Sequence, residues 1–312
     1  MLIDNRPKIK KCLIWSSAAL LILTSSSAFS QDTYRRGQVV EPAYEGWWEN
    51  DDGTFSFSFG YMNENWEEEL DVQIGAENFF SPGFQDRGQP THFLPRRNRF
   101  TFEVVVPSDW GDRELVWTLT SHGVTRSAYA TMVIDYTIDN MVIASETGSL
   151  GAGTSSPESR ANRPPVAAVQ GDTIRTIQVG EPLKIVTHVA DDGLPKPRRR
   201  TLERNEEDTM ERLFRRPRRS TVGKVNGLFL SWNVYRGEGS VTFDPPQIKP
   251  WEDTRTTANS PWGWMWRPPQ VPEDGLYEVE VTFDEPGTYM LWGRADDGGL
   301  YHDQYLMVNV EP

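Results

Sequence analysis

Acidic turns are the first residues of this chain whose type and spacing suit ligand binding. The tripeptide Asp-Asp-Gly occurs at 51–53, 191–193 and 296–298. Ca²⁺ takes about six to eight oxygen ligands, so strand-end loops with several carboxylates are a typical site for it. If the last two turns meet, they predict a calcium site formed by Asp191, Asp192, Asp296, Asp297 and the nearby Asp303. Asp-Gly is also the usual hairpin-turn signal, and the sequence has no EF-hand spacing.

Four tryptophans in a proline-rich stretch at about 245–275 form a second candidate site. Trp262, Trp264 and Trp266 alternate along the chain, so an extended backbone places all three rings on one face. Such a face can stack on sugar rings, so one interpretation of this stretch is a glycan-binding site. Trp251 is then a fourth ligand-binding residue. In the alternative interpretation the rings pack a long loop onto the fold beneath it.

A basic stretch is the third candidate. Residues 196–224 contain eleven Lys and Arg against five Asp and Glu, a net charge of +6. Spacing of opposite charges four residues apart predicts a short helix near 206–216. The stretch is either a solvated loop or a dock for an acidic protein or an anionic polymer such as a glycan, bound by bidentate arginine contacts. The residues of this patch are Arg198, Arg199, Arg200, Arg215, Arg216, Arg218 and Arg219.

Catalytic motifs are missing from the sequence. It has four histidines in no metalloprotease spacing, no G-x-S-x-G elbow and no phosphate-binding loop. Carboxylate pairs for glycoside hydrolysis are uninformative among 45 acidic residues without geometry. The formal charge of −13 argues against nucleic-acid binding. The sequence therefore favours a protein that is not an enzyme.

The first 30 residues have the features of a cleavable signal peptide. A short apolar run at 13–23 precedes Ala28-Phe29-Ser30, which fits a cleavage site after Ser30. The run is short for a membrane span, and an uncleaved anchor helix is the alternative. Cleavage leaves no transmembrane anchor and predicts a secreted or periplasmic protein. It would also remove Cys12 and leave a chain of net charge −16 without cysteine. The basic residues before the apolar run are Arg6, Lys8, Lys10 and Lys11.

Strict alternation of apolar and polar residues predicts β-strands through the rest of the chain. In the first block the alternating residues include Phe55, Phe57, Phe59 and Tyr61, and in the second they include Leu183, Ile185, Thr187 and Val189. We expect an all-β protein of two immunoglobulin-like sandwiches at 40–146 and 166–312. A Gly/Ser/Pro-rich linker at 147–165 joins them, and two insertions, at about 194–226 and 245–275, interrupt the second.

The second block resembles a known group of modules. The runs 230–243, 281–289 and 295–300 look like the PKD and cadherin-like immunoglobulin-type modules of bacterial surface proteins. The resemblance covers roughly 165–312 without the insertions, and it implies a β-sandwich with Trp232 on a central strand. The whole chain is also similar to uncharacterised exported bacterial proteins with the same two blocks. Such modules serve as spacers, binding surfaces and assembly parts.

These patterns favour an exported, non-enzymatic interaction or adhesion-type module that contacts its partner through the two insertions. The alternative is a carbohydrate-binding module, or a weak carbohydrate-active enzyme, that uses the tryptophan-rich insertion. No cofactor other than calcium is expected.

Overall fold

The structure, a computed structural model, describes residues 35–146, 156–196, 227–247 and 272–312. Among these residues it is an all-β protein with a few short helical turns, which confirms the predicted fold class. No helix in the described ranges is long and apolar enough to cross a membrane. The predicted signal peptide lies outside them.

The N-terminal half, residues 40–130, contains two three-stranded antiparallel sheets and a small third sheet. The sheet orders are β1-β2-β6, β4-β7-β8 and β3-β5. The strands are β1 (Val40–Glu49), β2 (Phe55–Asn63), β3 (Leu70–Asp71), β4 (Asn78–Ser81), β5 (His92–Phe93), β6 (Arg96–Val106), β7 (Leu115–Ser121) and β8 (Val124–Ala130).

Aromatic side chains form the core of this half. Phe57, Phe59 and Tyr61 point into it from β2, as the alternation predicts, and all three are buried. Ser58, on the opposite face of β2, is buried as well. Trp117 is fully buried, and its indole nitrogen donates a hydrogen bond of 2.9 Å to Asn78.

Short helical segments connect the two halves: a 3-10 turn (Ile134–Tyr136), α1 (Asn140–Glu146) and α2 (Pro157–Ala161). The Asp139 carboxylate caps α1 by accepting from the backbone N–H groups of Met141 and Val142, both at 2.9 Å. Helix α2 lies inside the predicted linker, where Ser156 forms a capping box with Ser159. The linker therefore contains ordered structure in its second part.

The C-terminal half, residues 166–311, has the strand order of an immunoglobulin domain. One sheet is β13-β14-β11-β9 and the other is β10-β16-β15-β12. These correspond to the two sheets of an immunoglobulin sandwich, with β10 added parallel to β16. The strands are β9 (Val166–Val169), β10 (Ile174–Gln178), β11 (Leu183–Ala190), β12 (Phe229–Arg236), β13 (Val241–Asp244), β14 (Leu276–Phe283), β15 (Gly287–Asp296) and β16 (Tyr301–Glu311).

A tyrosine corner strengthens this comparison. The Tyr289 hydroxyl donates to the carbonyl of Glu285 at 3.0 Å, near the start of β15. Immunoglobulin sandwiches have a tyrosine at the same place, bonded to the backbone a few residues upstream. Strand order and corner together support an immunoglobulin-like arrangement of this half, whereas the division of the chain into two domains stays a prediction.

Trp232 requires one correction. The resemblance implies a central strand, but among the described strands Trp232 lies at an edge, on β12 of the sheet β10-β16-β15-β12. Its ring is nevertheless buried in the core. The neighbouring Gly293 makes room for it, since a Cβ at 293 would lie 2.6 Å from the ring.

Candidate functional site

The two halves meet at a buried arginine on β15. Arg294 is only 8% exposed and forms a bidentate ion pair with Asp303 on β16, with both N–O distances at 2.7 Å. The same guanidinium reaches into the N-terminal half and donates to the backbone carbonyls of Phe100 (2.6 Å) and Arg99 (3.3 Å). It also lies 3.8 Å from the centre of the Tyr301 ring. Burial lowers the pKa of Arg294, but Asp303 outweighs it and raises the pKa above its usual value.

The backbone at Phe100 is shaped for this contact. Phe100 has φ of +50°, in the left-handed region that bulky residues rarely adopt. Such a conformation costs about 1 kcal/mol or more and persists only where surrounding contacts hold it. Here the carbonyl of Phe100 faces Arg294, so the strained residue contributes a polar contact between the halves.

A second group of contacts between the halves lies at the end of β12. Arg236 forms a bidentate pair with Asp86 at 2.7 and 3.0 Å, and this pair lowers the pKa of the Asp86 carboxyl. The backbone N–H of Thr91 donates to the carbonyl of Tyr235 at 3.1 Å. Tyr235 and Trp292 belong to the aromatic core of the N-terminal half. The two halves therefore share part of one core.

A cavity of about 540 Å³ lies beside this junction. Trp48 and Glu103 line it from the N-terminal half, and Leu300 and Tyr301 line it from the C-terminal half. Segment 138–143, which includes the start of α1, forms another wall. The size suits a small organic ligand, for which pockets of roughly 300–1,000 Å³ are usual.

The electrostatics of the cavity are negative. Glu103 is exposed on the face of β6 that the cavity opens onto, and it has no hydrogen-bond or ion-pair partner among the described residues. Desolvation by the surrounding protein, together with the charge of Asp303, raises the pKa of Glu103, and Arg294 opposes this shift. Asp139 adds a second carboxylate, and no described residue lining the cavity is Lys or Arg.

An exposed apolar edge begins next to the cavity. It comprises Val133, Ile134 and Tyr136, which are 49%, 81% and 50% exposed. The Trp47 indole donates to the carbonyl of Val133 at 2.9 Å, and the rings of Tyr136 and Tyr44 lie 5.6 Å apart. These contacts fix the segment on β1 while its apolar side chains face solvent.

The two acidic turns of the C-terminal half meet around segment 162–163. Asp192 accepts a hydrogen bond from the backbone N–H of Arg163 at 3.1 Å, and Asp297 accepts from the Asn162 side chain at 3.1 Å. Burial and the neighbouring charge of Asp296 raise the pKa of Asp297 to about 7. One end of the sandwich therefore holds four of the five predicted calcium ligands on two loops joined by this segment.

The carboxylates of these turns are used mainly to hold the backbone, as in Asx turns. The bonds run to Asp191 from Gly193 N (2.9 Å), to Asp192 from Leu194 N (2.8 Å), to Asp296 from Gly298 N (2.6 Å) and to Asp297 from Gly299 N and Leu300 N (2.5 and 2.7 Å). The fifth predicted ligand, Asp303, is not part of these turns, because it lies on β16 and is paired with Arg294 of β15. Within the described ranges no three His, Cys, Asp or Glu side chains are arranged to hold a metal ion. The calcium site stays a prediction.

Three histidines take part in structural contacts. His92 is held between Asp71 (2.8 Å) and Glu69 (2.9 Å). Burial lowers the pKa of His92, but these two partners outweigh it and raise the pKa to about 9. His302 accepts from the backbone N–H of Ala167 at 3.0 Å, and His122 lies 3.4 Å from a carboxylate oxygen.

Two predicted sites lie outside the described residues. They are the arginine patch (Arg198, Arg199, Arg200, Arg215, Arg216, Arg218 and Arg219), with the helix at 206–216, and the tryptophan set (Trp251, Trp262, Trp264 and Trp266). Both stay predictions.

Sequence reasoning missed Arg294 and Glu103. One signal for the junction is present in β15, where Tyr289 and Leu291 face the core of the C-terminal half. Met290 and Trp292, on the opposite face, are also apolar, which indicates that this face is covered. No comparable signal marks Glu103, because it is one acidic residue among many on exposed strand faces.

No family model matches the chain, and no curated protein matches it. Solved structures similar to it include domains 4 and 5 of the S-layer protein SbsC (11% identity, 88% of this chain, 98% of that chain, TM-score 0.22). Another is the D00-D0 domain of intimin, with 8% identity over 86% of this chain and 99% of that chain and a TM-score of 0.22. A third is the Yersinia pseudotuberculosis adhesin InvE, with 8% identity over 88% of this chain and 59% of that chain and a TM-score of 0.23. Likeness at these TM-scores carries no argument, so the immunoglobulin-like arrangement rests on strand order and the tyrosine corner.

Proposed function

We propose that this protein is an exported, non-enzymatic interaction or adhesion-type module built on a β-sandwich scaffold. The observation that carries the proposal is the apolar edge, Val133, Ile134 and Tyr136. Adjacent, strongly exposed apolar residues on a folded protein mark a contact surface. Because Trp47 and Tyr44 hold the edge on β1, it is preorganised, and little conformational entropy is lost when a partner binds.

The surrounding charge indicates the chemistry of the partner. Asp135 lies within the edge and Asp139 follows it, and the chain without residues 1–30 and 196–224 has a net charge of −22. We therefore expect a protein surface with apolar residues inside a basic rim, since complementary charge speeds association and excludes wrong partners. The arginine patch is proposed as a second contact surface, for an acidic protein or anionic polymer.

A pull-down followed by reconstitution tests the proposal. The full-length protein is used as bait on the exported fraction of its native cells, and a captured protein is then purified and titrated by calorimetry. The variant Ile134→Asp should weaken binding by about 2 kcal/mol, or roughly 30-fold, because it removes one fully buried aliphatic side chain from the interface. Ile174→Asp is the matched control, since Ile174 is 60% exposed on β10 in the other half. Equal affinity of the Ile134→Asp variant and the wild type would refute the role of the edge.

A further inference from the structure

We infer that the cavity between the halves binds an alkylammonium group, either on a free organic amine or on a lysine side chain of a bound protein. The inference goes beyond the proposed function, because it names a ligand chemistry and a site that the apolar edge does not include. It rests on three observations of the cavity: its aromatic walls, the Glu103 carboxylate without a direct partner among the described residues, and its apolar remainder.

The aromatic walls come from both halves. Trp48 lines the cavity from β1, and Tyr301 lines it from the start of β16. Tryptophan and tyrosine rings attract organic cations through the negative electrostatic potential of their faces, and pockets for quaternary ammonium groups are built in this way. The Tyr301 ring already accepts one cation, since Arg294 lies 3.8 Å from its centre.

Glu103 provides the negative charge. Its carboxylate opens onto the cavity without a hydrogen-bond or ion-pair partner among the described residues, and Asp139 is a second carboxylate of the lining, while the charge of Asp303 is balanced by its pair with Arg294. A cation placed beside this exposed carboxylate gains an attractive charge contact that a neutral ligand does not. Arg294 does not fill this role, because Asp303 and the Phe100 carbonyl already occupy its guanidinium.

The rest of the lining decides the kind of cation. Ile138, Ile143 and Leu300 contribute apolar surface, and a divalent metal would need about six oxygen ligands that these residues do not offer. An alkylammonium group combines a positive charge with methyl or methylene surface, and so matches both parts of the lining. A neutral sugar would leave the carboxylate charge uncompensated.

Calorimetry on the full-length protein tests the inference with two probes and one neutral analogue. Choline represents a free amine, N-acetyl-lysine methylamide represents a partner's lysine, and 3,3-dimethylbutan-1-ol has the shape of choline without its charge. We expect at least one of the two cations to bind and the neutral analogue to bind at least tenfold more weakly. Binding of choline alone indicates a free amine, and binding of the lysine probe alone indicates a partner's lysine. The lysine arm rests on the proposed function whereas the choline arm does not, so the failures of the two ideas are distinguishable.

Variants connect the binding to the cavity. Glu103→Gln should weaken the bound cation about tenfold or more, and Trp48→Leu should weaken it as well, with circular dichroism confirming that both variants fold. Glu77→Gln is the matched control, because Glu77 is exposed on the same half away from the cavity lining. The inference is overturned if neither cation binds, if the neutral analogue binds as tightly, or if Glu103→Gln leaves the affinity unchanged.

Discussion

Replacing Arg294 by methionine should destabilise the protein more than any comparable change on its surface. The substitution keeps much of the side-chain volume but removes the charge from a side chain that is only 8% exposed. It leaves Asp303, whose side chain is only 16% exposed, without its partner and leaves the Phe100 carbonyl without its donor. The left-handed backbone at Phe100 then no longer has the Arg294 hydrogen bond that helps to hold it in this conformation.

The magnitude follows from those losses. Breaking a buried ion pair by removing one partner costs about 3–5 kcal/mol, because an uncompensated charge remains. A buried carbonyl that loses its donor costs about 1–3 kcal/mol, and the two losses overlap since they share one guanidinium. We therefore expect about 4 kcal/mol, a large part of the roughly 5–15 kcal/mol that stabilise a typical domain.

Urea unfolding at pH 7, followed by circular dichroism, measures this change, and a double variant separates its causes. In Arg294→Met/Asp303→Leu both charges are gone, so the cost should fall to about 2 kcal/mol, mainly for the orphaned carbonyl. Arg236→Met is the matched control at the same junction. The Arg236 side chain is 21% exposed and Asp86 is 51% exposed, and Arg236 also donates to the Gln89 carbonyl at 2.8 Å, so the loss of these partly exposed contacts should cost about 1–2 kcal/mol. The reasoning fails if Arg294→Met costs less than about 1 kcal/mol, or if the double variant costs more than the single one.

Three further changes test other contacts. The carboxylate partners of His92 raise its pKa to about 9, so their stabilisation is fully present below about pH 6.5 and is lost as the pH rises through 9. His92→Gln should therefore cost up to about 3 kcal/mol in urea unfolding at pH 6 and little at pH 10, and a cost independent of pH would contradict this. Asp297, with its pKa raised to about 7, favours the folded state when protonated, so stability falls as the pH rises from about 4 to 7. Asp297→Asn should raise the unfolding free energy by about 2 kcal/mol at pH 8 and by almost nothing near pH 4, and destabilisation at pH 8 would show that its hydrogen bonds outweigh its charge. Gly293→Ala should cost about 3 kcal/mol in thermal melts because the new Cβ meets the Trp232 ring, whereas Gly287→Ala on the same strand has 3.6 Å of clearance and serves as the control.

Much of the fold was predictable because its signals are local. Alternation at Phe57 and Phe59 identifies a strand and its buried face, since the side-chain period of two is a property of the extended backbone itself. The same pattern located β11 and its core residues Ile185 and Val189. Short helices gave weaker signals. Helix α2 was missed because its capping box lies within a sequence range whose Gly, Ser and Pro content predicts a linker.

The candidate site was less predictable because its residues are far apart in the chain. The acidic turns stood out by composition, yet one oxygen of each carboxylate in the two C-terminal turns accepts from the backbone of its own loop. Glu103 and Trp48 had no distinguishing neighbours in sequence, and they become notable only where α1 and β16 enclose them in one cavity.

By itself the sequence determined the all-β class, the positions of several strands, β2 and β11 among them, and the contrast between an acidic body and one basic stretch. Periodicity and charge are read residue by residue, so they need no knowledge of which segments meet. The tertiary structure alone decided that Arg294 would join the halves and that a negative, aromatic cavity would lie beside it. The contact between Arg294 and Phe100 spans 194 positions of sequence, and no local pattern encodes a pairing over that distance.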